Sequence, residues 1–355
     1  MIDSPLKDDL NDVLRRVGRD WEALRGEHIF LTGGTGFVGC WLLESLIWAN
    51  RELNLKAHAS VLTRNSERFR RKAPHLADDP MISLVEGDVL RPWKPSGHLG
   101  AANFRFVIHA ATDADASVNE ASPETMIDTI VEGTRHALAF AIDHKAERFL
   151  LTSSGAVYGR QPPNLPNVPE DWTGGPDVAD PRSAYAEGKR LAELLCVLAH
   201  RKSGIKTVIA RCFAFLGPYL PLDRHYAAGN FLRDALAGNP IRIQGDGTPR
   251  RSYLYPSELA IWLWSILLRG TPGRSYNVGA EKETSIEGLA REIARYFDPA
   301  PSVEIARRPT PGATPERYVP STERARSELG LSQEVSLSDA IAKTIAWHHA
   351  ERAVG

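Results

Sequence analysis

Hydrophobic positions recur along this chain with two periods that take turns. Leu10, Val13, Leu14, Val17, Trp21 and Leu24 are spaced three and four apart with charges between them, which predicts an amphipathic helix packed on the main body within residues 1–26. His28-Ile29-Phe30-Leu31-Thr32 is an apolar run of strand length; after a cluster of glycines, Trp41, Leu42, Leu43, Leu46 and Ile47 restore the helical period. The same reading predicts strands over 57–63, 82–85, 104–110, 148–152 and 207–213, and helices over 126–141 and 183–200.

Strands separated by helices imply a parallel sheet covered on both faces, so the expected fold class is α/β with a doubly wound (Rossmann) sheet. Residues 162–181 are rich in Pro, Gly and Asp without periodicity and read as a long loop beside a site. Beyond Pro218 the pattern breaks into short elements. The expected organisation is therefore an amphipathic helix over 1–26, a dinucleotide-binding domain over 27–217, and a smaller mixed region over 218–355 that mainly binds substrate.

Charge and composition narrow the function. The 43 Lys+Arg against 44 Asp+Glu give a net charge of -1, so no global field draws the chain to nucleic acid or anionic membrane, and any basic site is local. Cys40, Cys196 and Cys212 are odd in number and set among apolar residues, which predicts reduced, buried thiols. No CxxC or HExxH spacing occurs, and no metal is expected. The acidic, polar start Met1-Ile2-Asp3-Ser4 and the brevity of the most apolar run, 261–268, predict an unexported cytoplasmic protein without a membrane span.

Thr32-Gly33-Gly34-Thr35-Gly36-Phe37-Val38-Gly39 falls at the first strand-to-helix turn, where glycines let backbone amides approach a pyrophosphate at a helix N-terminus. The second strand ends Val61-Leu62-Thr63-Arg64-Asn65, with no carboxylate for ribose hydroxyls and with Arg64 placed to meet a 2′-phosphate, so NADP is expected as cofactor and NAD is the alternative. Asp88, after the third strand, either accepts from the adenine amino group or serves as a turn residue. Tyr185 and Lys189 are four apart at a helix start and project from one face, and Ser154 lies upstream in Leu151-Thr152-Ser153-Ser154-Gly155. A neighbouring ammonium favours a tyrosine phenolate, the base a hydroxyl oxidation needs.

These motifs resemble the extended short-chain dehydrogenase/reductases, the NAD-dependent epimerase/dehydratase group acting on nucleotide sugars, over about residues 28–330. The resemblance implies Gly33, Gly36, Phe37, Val38, Gly39, Arg64, Asp88, Val89, Ala110, Ala111, Tyr185 and Lys189 for the cofactor, and Ser154, Tyr185 and Lys189 for catalysis. It implies Thr112, Ser154, Asn230, Arg251 and Arg308 for a nucleoside-diphosphate sugar; guanidinium forks suit its phosphates. Relatives pair the two long helices as a four-helix interface, so a homodimer is expected through 126–141 and 183–200.

Departures bear on the reaction. The 4,6-dehydratases carry Thr-Asp-Glu before Val-Tyr-Gly, where this chain has Ser154-Gly155-Ala156, and Ala214 and Ile130 stand where many relatives place asparagine. The expected function is therefore nucleotide-sugar epimerase or 4-keto reductase, with chemistry at C4; the alternatives are a 4,6-dehydratase or decarboxylase of the same family and, in a different class, a non-catalytic dinucleotide-binding sensor.

Overall fold

The computed structural model describes residues 5–93, 103–112, 116–224 and 226–354. Its first half alternates strand and helix: α1 (Lys7–Val17), β1 (His28–Thr32), α2 (Phe37–Leu53), β2 (His58–Thr63), α3 (Ser66–Lys72), α4 (Pro74–Ala77), β3 (Ile82–Glu86), β4 (Phe104–His109), α5 (Ala116–Ala121), α6 (Pro123–Asp143), β5 (Arg148–Ser154), α7 (Ala184–Ser203) and β6 (Lys206–Cys212). The second half is shorter-grained: β7 (Ala214–Phe215), α8 (Ala227–Leu236), β8 (Ile241–Ile243), β9 (Arg250–Arg251), β10 (Tyr253–Leu254), α9 (Pro256–Arg269), β11 (Ser275–Val278), β12 (Thr284–Ser285), α10 (Ile286–Ala294), β13 (Val303–Ile305), β14 (Arg317–Tyr318), α11 (Glu323–Leu329) and α12 (Leu337–Val354).

Seven strands form one parallel sheet in the order β11-β6-β5-β4-β1-β2-β3. Successive side chains of a strand point to opposite faces. Ile29 and Leu31 accordingly join a core with Trp41, Leu46, Trp262 and Trp264, while Phe30 joins another with Phe104, Phe140, Phe149 and Cys196. The strand order reverses between β1 and β4, and in a doubly wound fold the crevice at that point takes the ligand.

The part after Pro218 is interleaved with the sheet. β11 pairs with β6 at its edge, and α9 is buried almost throughout, with Trp262 and Trp264 in the core. The amphipathic α1 is equally integral: Trp21, which follows it, meets the Trp264 ring at 5.3 Å, and its buried Asp9 accepts from Tyr255 (2.7 Å) and Lys343 (2.7 Å). The remaining strands make small sheets around the crevice, including β12-β9-β14, in which Tyr318 lies beside Arg251.

Candidate active site

Gly33 has φ +75, and a Cβ there would stand 2.5 Å from the Ala110 carbonyl, so glycine allows β4 to close against the turn after β1. A Cβ on Gly39 would lie 2.3 Å from Gly34 Cα, so Gly39 lets α2 seat on the loop. Gly36 is the N-cap of α2 with no side chain to occupy the free amides, which leaves that terminus open to an anion.

A cavity of about 1360 Å³ opens above this turn, lined by Gly33, Gly36, Phe37, Arg64, Asp88, Val89, Ala110, Ala111 and Thr112. That volume and the Gly33 cradle fit a dinucleotide. Val38 and Gly39 do not line it; Val38 packs on the core, so their part is in the packing of the loop. Asp88 Oδ1 accepts from the Leu90 amide at 3.0 Å, which makes Asp88 a turn residue here while its side still faces the cavity. Arg68, one turn beyond Arg64 and not singled out in the sequence, faces the same space.

Tyr185 and Lys189 occupy the first turns of α7, with the Lys189 ammonium 6.0 Å from the Tyr185 ring centre. The Tyr185 amide donates to Asn119 Oδ1 (3.0 Å), a residue of α5 that carries no motif signal. Lys189 is buried and donates to Thr112 Oγ1 (2.8 Å) and the Thr152 carbonyl (2.8 Å). Thr112, expected at the substrate, thus holds the Lys189 ammonium and also lines the cavity. Burial pulls the Lys189 amine down to about 8 and pushes the Tyr185 phenol above its ordinary value, while the nearby Ser154 hydroxyl pulls it back down. Neighbouring His109 is held neutral, down to about 3 by burial and by Lys189, and is bonded to Thr32 Oγ1 at 2.7 Å.

Behind these residues runs a buried polar chain. Ser153 donates to Glu193 (2.6 Å), Glu193 pairs with Arg211 (2.7 Å), and Arg211 donates to the Tyr158 hydroxyl (2.8 Å), which donates to Asn277 (2.7 Å). It ties α7 to the ends of β5, β6 and β11.

The distal residues are placed unequally. The Arg251 guanidinium lies 5.5 Å from the Tyr318 ring, and Tyr318 reaches Ser154 Oγ at 3.2 Å, so Arg251 is linked to Ser154 through Tyr318. Asn230 is half-buried on α8 one turn after Tyr226, its Oδ1 accepting from Arg233 at 3.3 Å. Arg308 is exposed in the loop after β13. Ile130 is a core residue of the α6–α7 contact, 3.1 Å from where a Gly188 Cβ would be, and Ala214 pairs with Tyr253. Asp113 and Asp115, the nearest acids after β4, lie outside the described residues.

The fold and its phosphate loop define a doubly wound dinucleotide-fold protein. The chain belongs to the NAD dependent epimerase/dehydratase family, whose model matches residues 29–279, and it is an enzyme of that family. It is 29% identical to UDP-glucuronic acid decarboxylase 1 of Arabidopsis thaliana over 90% of this chain and 69% of that protein. It is 27% identical to UDP-glucuronic acid decarboxylase 1 of Xenopus tropicalis over 92% of this chain and 73% of that protein. Among solved structures, UDP-glucose 4-epimerase of Thermotoga maritima with UDP-glucose superposes with a TM-score of 0.76 at 20% identity, covering 92% of this chain and 99% of that one. A Bordetella bronchiseptica enzyme in complex with NAD+ and UDP superposes with a TM-score of 0.75 at 23% identity, covering 94% of this chain and 95% of that one. Among the described residues no helix is long and apolar enough to cross a membrane, and no group of His, Cys, Asp or Glu could hold a metal.

Proposed function

We propose that this enzyme carries out reversible redox chemistry at C4 of the sugar of a nucleoside-diphosphate sugar, as an epimerase or a 4-keto reductase. The observation that carries this reading is the Tyr185/Lys189/Ser154 set, assembled beside the cavity, with no carboxylate at 155 or 156. A bound nicotinamide supplies or accepts the hydride. Tyr185 exchanges the proton of the reacting oxygen, Ser154 donates a hydrogen bond to that oxygen, and Lys189 binds the nicotinamide ribose and stabilises the phenolate. Residues 27–217 hold the dinucleotide, with Gly33, Gly36 and Arg64 at its phosphates. Residues 218–355 supply the substrate diphosphate ligands Asn230 and Arg251, with the exposed Arg308 as a third. NADP, met by Arg64, is the cofactor favoured; the family's NAD is the alternative.

A second reading is favoured by the curated relatives: decarboxylation of a nucleoside-diphosphate hexuronic acid. Oxidation at C4 places a ketone β to the C6 carboxylate, and carbon dioxide then leaves without a dedicated base at C5. Tyr185 gives its proton to the enolate oxygen and takes it back as C5 is protonated by water, and return of the hydride to C4 together with that proton gives the pentose. The same three residues serve both readings, and Gly155-Ala156 obstructs neither.

Incubation with UDP-glucose, UDP-galactose and UDP-glucuronic acid, each with NAD or NADP, and with a nucleoside-diphosphate 4-keto sugar and NADH or NADPH, separates the readings by product: an inverted C4, a C4 hydroxyl formed from the ketone as the reduced cofactor is oxidised, or a pentose with release of carbon dioxide. Tyr185→Phe is expected to keep fold and cofactor affinity and to lower turnover ~100- to 10,000-fold. Turnover near wild type in that variant would remove Tyr185 from the reaction, and no reaction with any nucleotide sugar would overturn the proposal.

A further inference from the structure

The hydroxyl of Tyr318 is the least expected group in the site. It comes from β14, 164 residues from Ser154, and is brought in by the pairing of β14 with β9. Its ring packs on Phe213 at 4.6 Å between centres and beneath the Arg251 guanidinium, so its position is fixed from two sides.

A serine hydroxyl has one proton to give and two lone pairs to receive. Ser154 Oγ receives the Ala156 amide at 3.2 Å and meets the Tyr318 hydroxyl at 3.2 Å. The Tyr318 hydroxyl has one other acceptor in reach, the Cys212 carbonyl, at the longer distance of 3.4 Å. If Tyr318 gives its proton to Ser154, both serine lone pairs are filled and the serine proton can only point outward, to Tyr185 or a substrate oxygen. If Tyr318 gives its proton to Cys212 instead, it competes with Tyr185 for the serine proton.

We propose that Tyr318 is a positioning residue that fills the second lone pair of Ser154 and thereby fixes the serine as a hydrogen-bond donor, to Tyr185 in the free site and to the reacting oxygen when substrate is bound. This deepens the redox reading above and rests on it for the substrate oxygen. It does not rest on it for Tyr185. The groups facing Tyr185 are Lys189 from its own helix, Ser154 from β5, Cys212 from β6, Tyr226 ahead of α8 and Tyr318 from β14. Burial, then Tyr318, Tyr226 and Cys212, oppose its ionisation, and the Ser154 hydroxyl assists it. Burial pushes the Tyr318 phenol up to about 12, so it keeps its proton where Tyr185 works.

The test is a spectrophotometric titration of phenolate absorbance in the full-length protein loaded with NAD, with Tyr185→Phe as the blank that isolates the Tyr185 transition. Tyr318→Phe, which keeps the ring, is expected to raise that transition by about half to one pH unit, the worth of one hydrogen bond. Ser154→Ala is expected to raise it by at least as much, and the double variant no further than Ser154→Ala alone, because Tyr318 acts only through the serine. With a turned-over substrate, Tyr318→Phe is expected to lower kcat about three- to tenfold and to move the acid limb of its pH profile upward, with KM for the cofactor unchanged. A transition that stays or falls in Tyr318→Phe, or an additive rise in the double variant, overturns the proposal. A rise in a protein that turns over no nucleotide sugar leaves it standing and removes only the reading of the reaction.

Discussion

Gly155 lies flat against the ring of Phe213: a Cβ on Gly155 would stand 2.6 Å from Phe213 Cζ. Phe213 in turn packs on Tyr158 and Tyr318. The space that a side chain at 155 would enter is therefore filled from behind by an aromatic cluster, and the missing carboxylate is a property of the packing as well as of the sequence.

The enzyme is therefore expected not to carry out 4,6-dehydration. That elimination needs one group to remove the C5 proton and another to protonate the departing hydroxyl, each worth ~100- to 10,000-fold, and Gly155 and Ala156 can do neither. Nucleoside-diphosphate hexoses are expected to show no loss of water by mass spectrometry. Gly155→Asp is expected to destabilise the fold by ~1–3 kcal/mol through overpacking, and Gly155→Asp with Phe213→Ala to recover part of that in thermal melts. Efficient formation of a 4-keto-6-deoxy sugar would overturn this and send the search for acid and base to Asp113 and Asp115.

The cofactor prediction turns on the end of β2. Arg64 and Arg68 both face the cavity, and no carboxylate stands at 64 or 65, at the end of β2, to hold the ribose hydroxyls of NAD. NADPH is expected to bind more tightly than NADH, and Arg64→Ala to weaken NADPH about tenfold while leaving NADH nearly unchanged, read by fluorescence titration. A preference for NADH in the wild type would make Arg64 an ordinary surface charge.

A homodimer is expected through α6 and α7. Leu191, Leu194 and Leu198 stand 39%, 52% and 51% exposed at helical spacing on α7, and Ile127 on α6 is 38% exposed, an apolar stripe that a monomer would leave in water. Light scattering at micromolar concentration is expected to give twice the chain mass, and Leu194→Glu to halve it. A monomeric wild type would show the stripe to be a plain exposed surface.

The parts of this architecture that were legible in the sequence are those with a period. The apolar runs of β1 to β6 and the stripes of α2, α6 and α7 are each carried by a few adjacent residues, and so are the glycine turn and the Tyr185/Lys189 pair. β11 escaped because it is four residues long and carries Ser275 and Asn277. Asn277 is buried only because Val168, Ser321 and Tyr158 satisfy its amide. Asn119 and Tyr318 escaped for a related reason: each reaches the site by a tertiary approach, one from the short α5 and the other through the β9–β14 register, and neither approach leaves a local pattern.

The buried lysine makes stability depend on pH with a definite sign. Lys189 has an ordinary value of 10.5 and is pulled down to about 8 in the folded protein by burial, against the smaller upward pull of Cys212, Glu193 and Cys196. Between about 8 and 10.5 the unfolded chain holds a proton at this residue that the folded protein has shed. Unfolding free energy therefore rises with pH across that window, and the cost of burying the ammonium is present in full only below it. Lys189→Met keeps the length of the side chain and abolishes the titration. The Tm of the cofactor-free wild type minus that of Lys189→Met is expected to increase steadily from about pH 7.5 to about pH 9.5, a range that stops below the ordinary tyrosine value of about 10 so that Tyr185 adds nothing of its own. Added cofactor is expected to flatten that rise, because a ribose hydroxyl and a neighbouring phenolate would stabilise the ammonium and bring its folded value back toward the ordinary one. A difference that is flat or falls with pH in the cofactor-free protein would show that Thr112 and Thr152 already hold the ammonium at no cost.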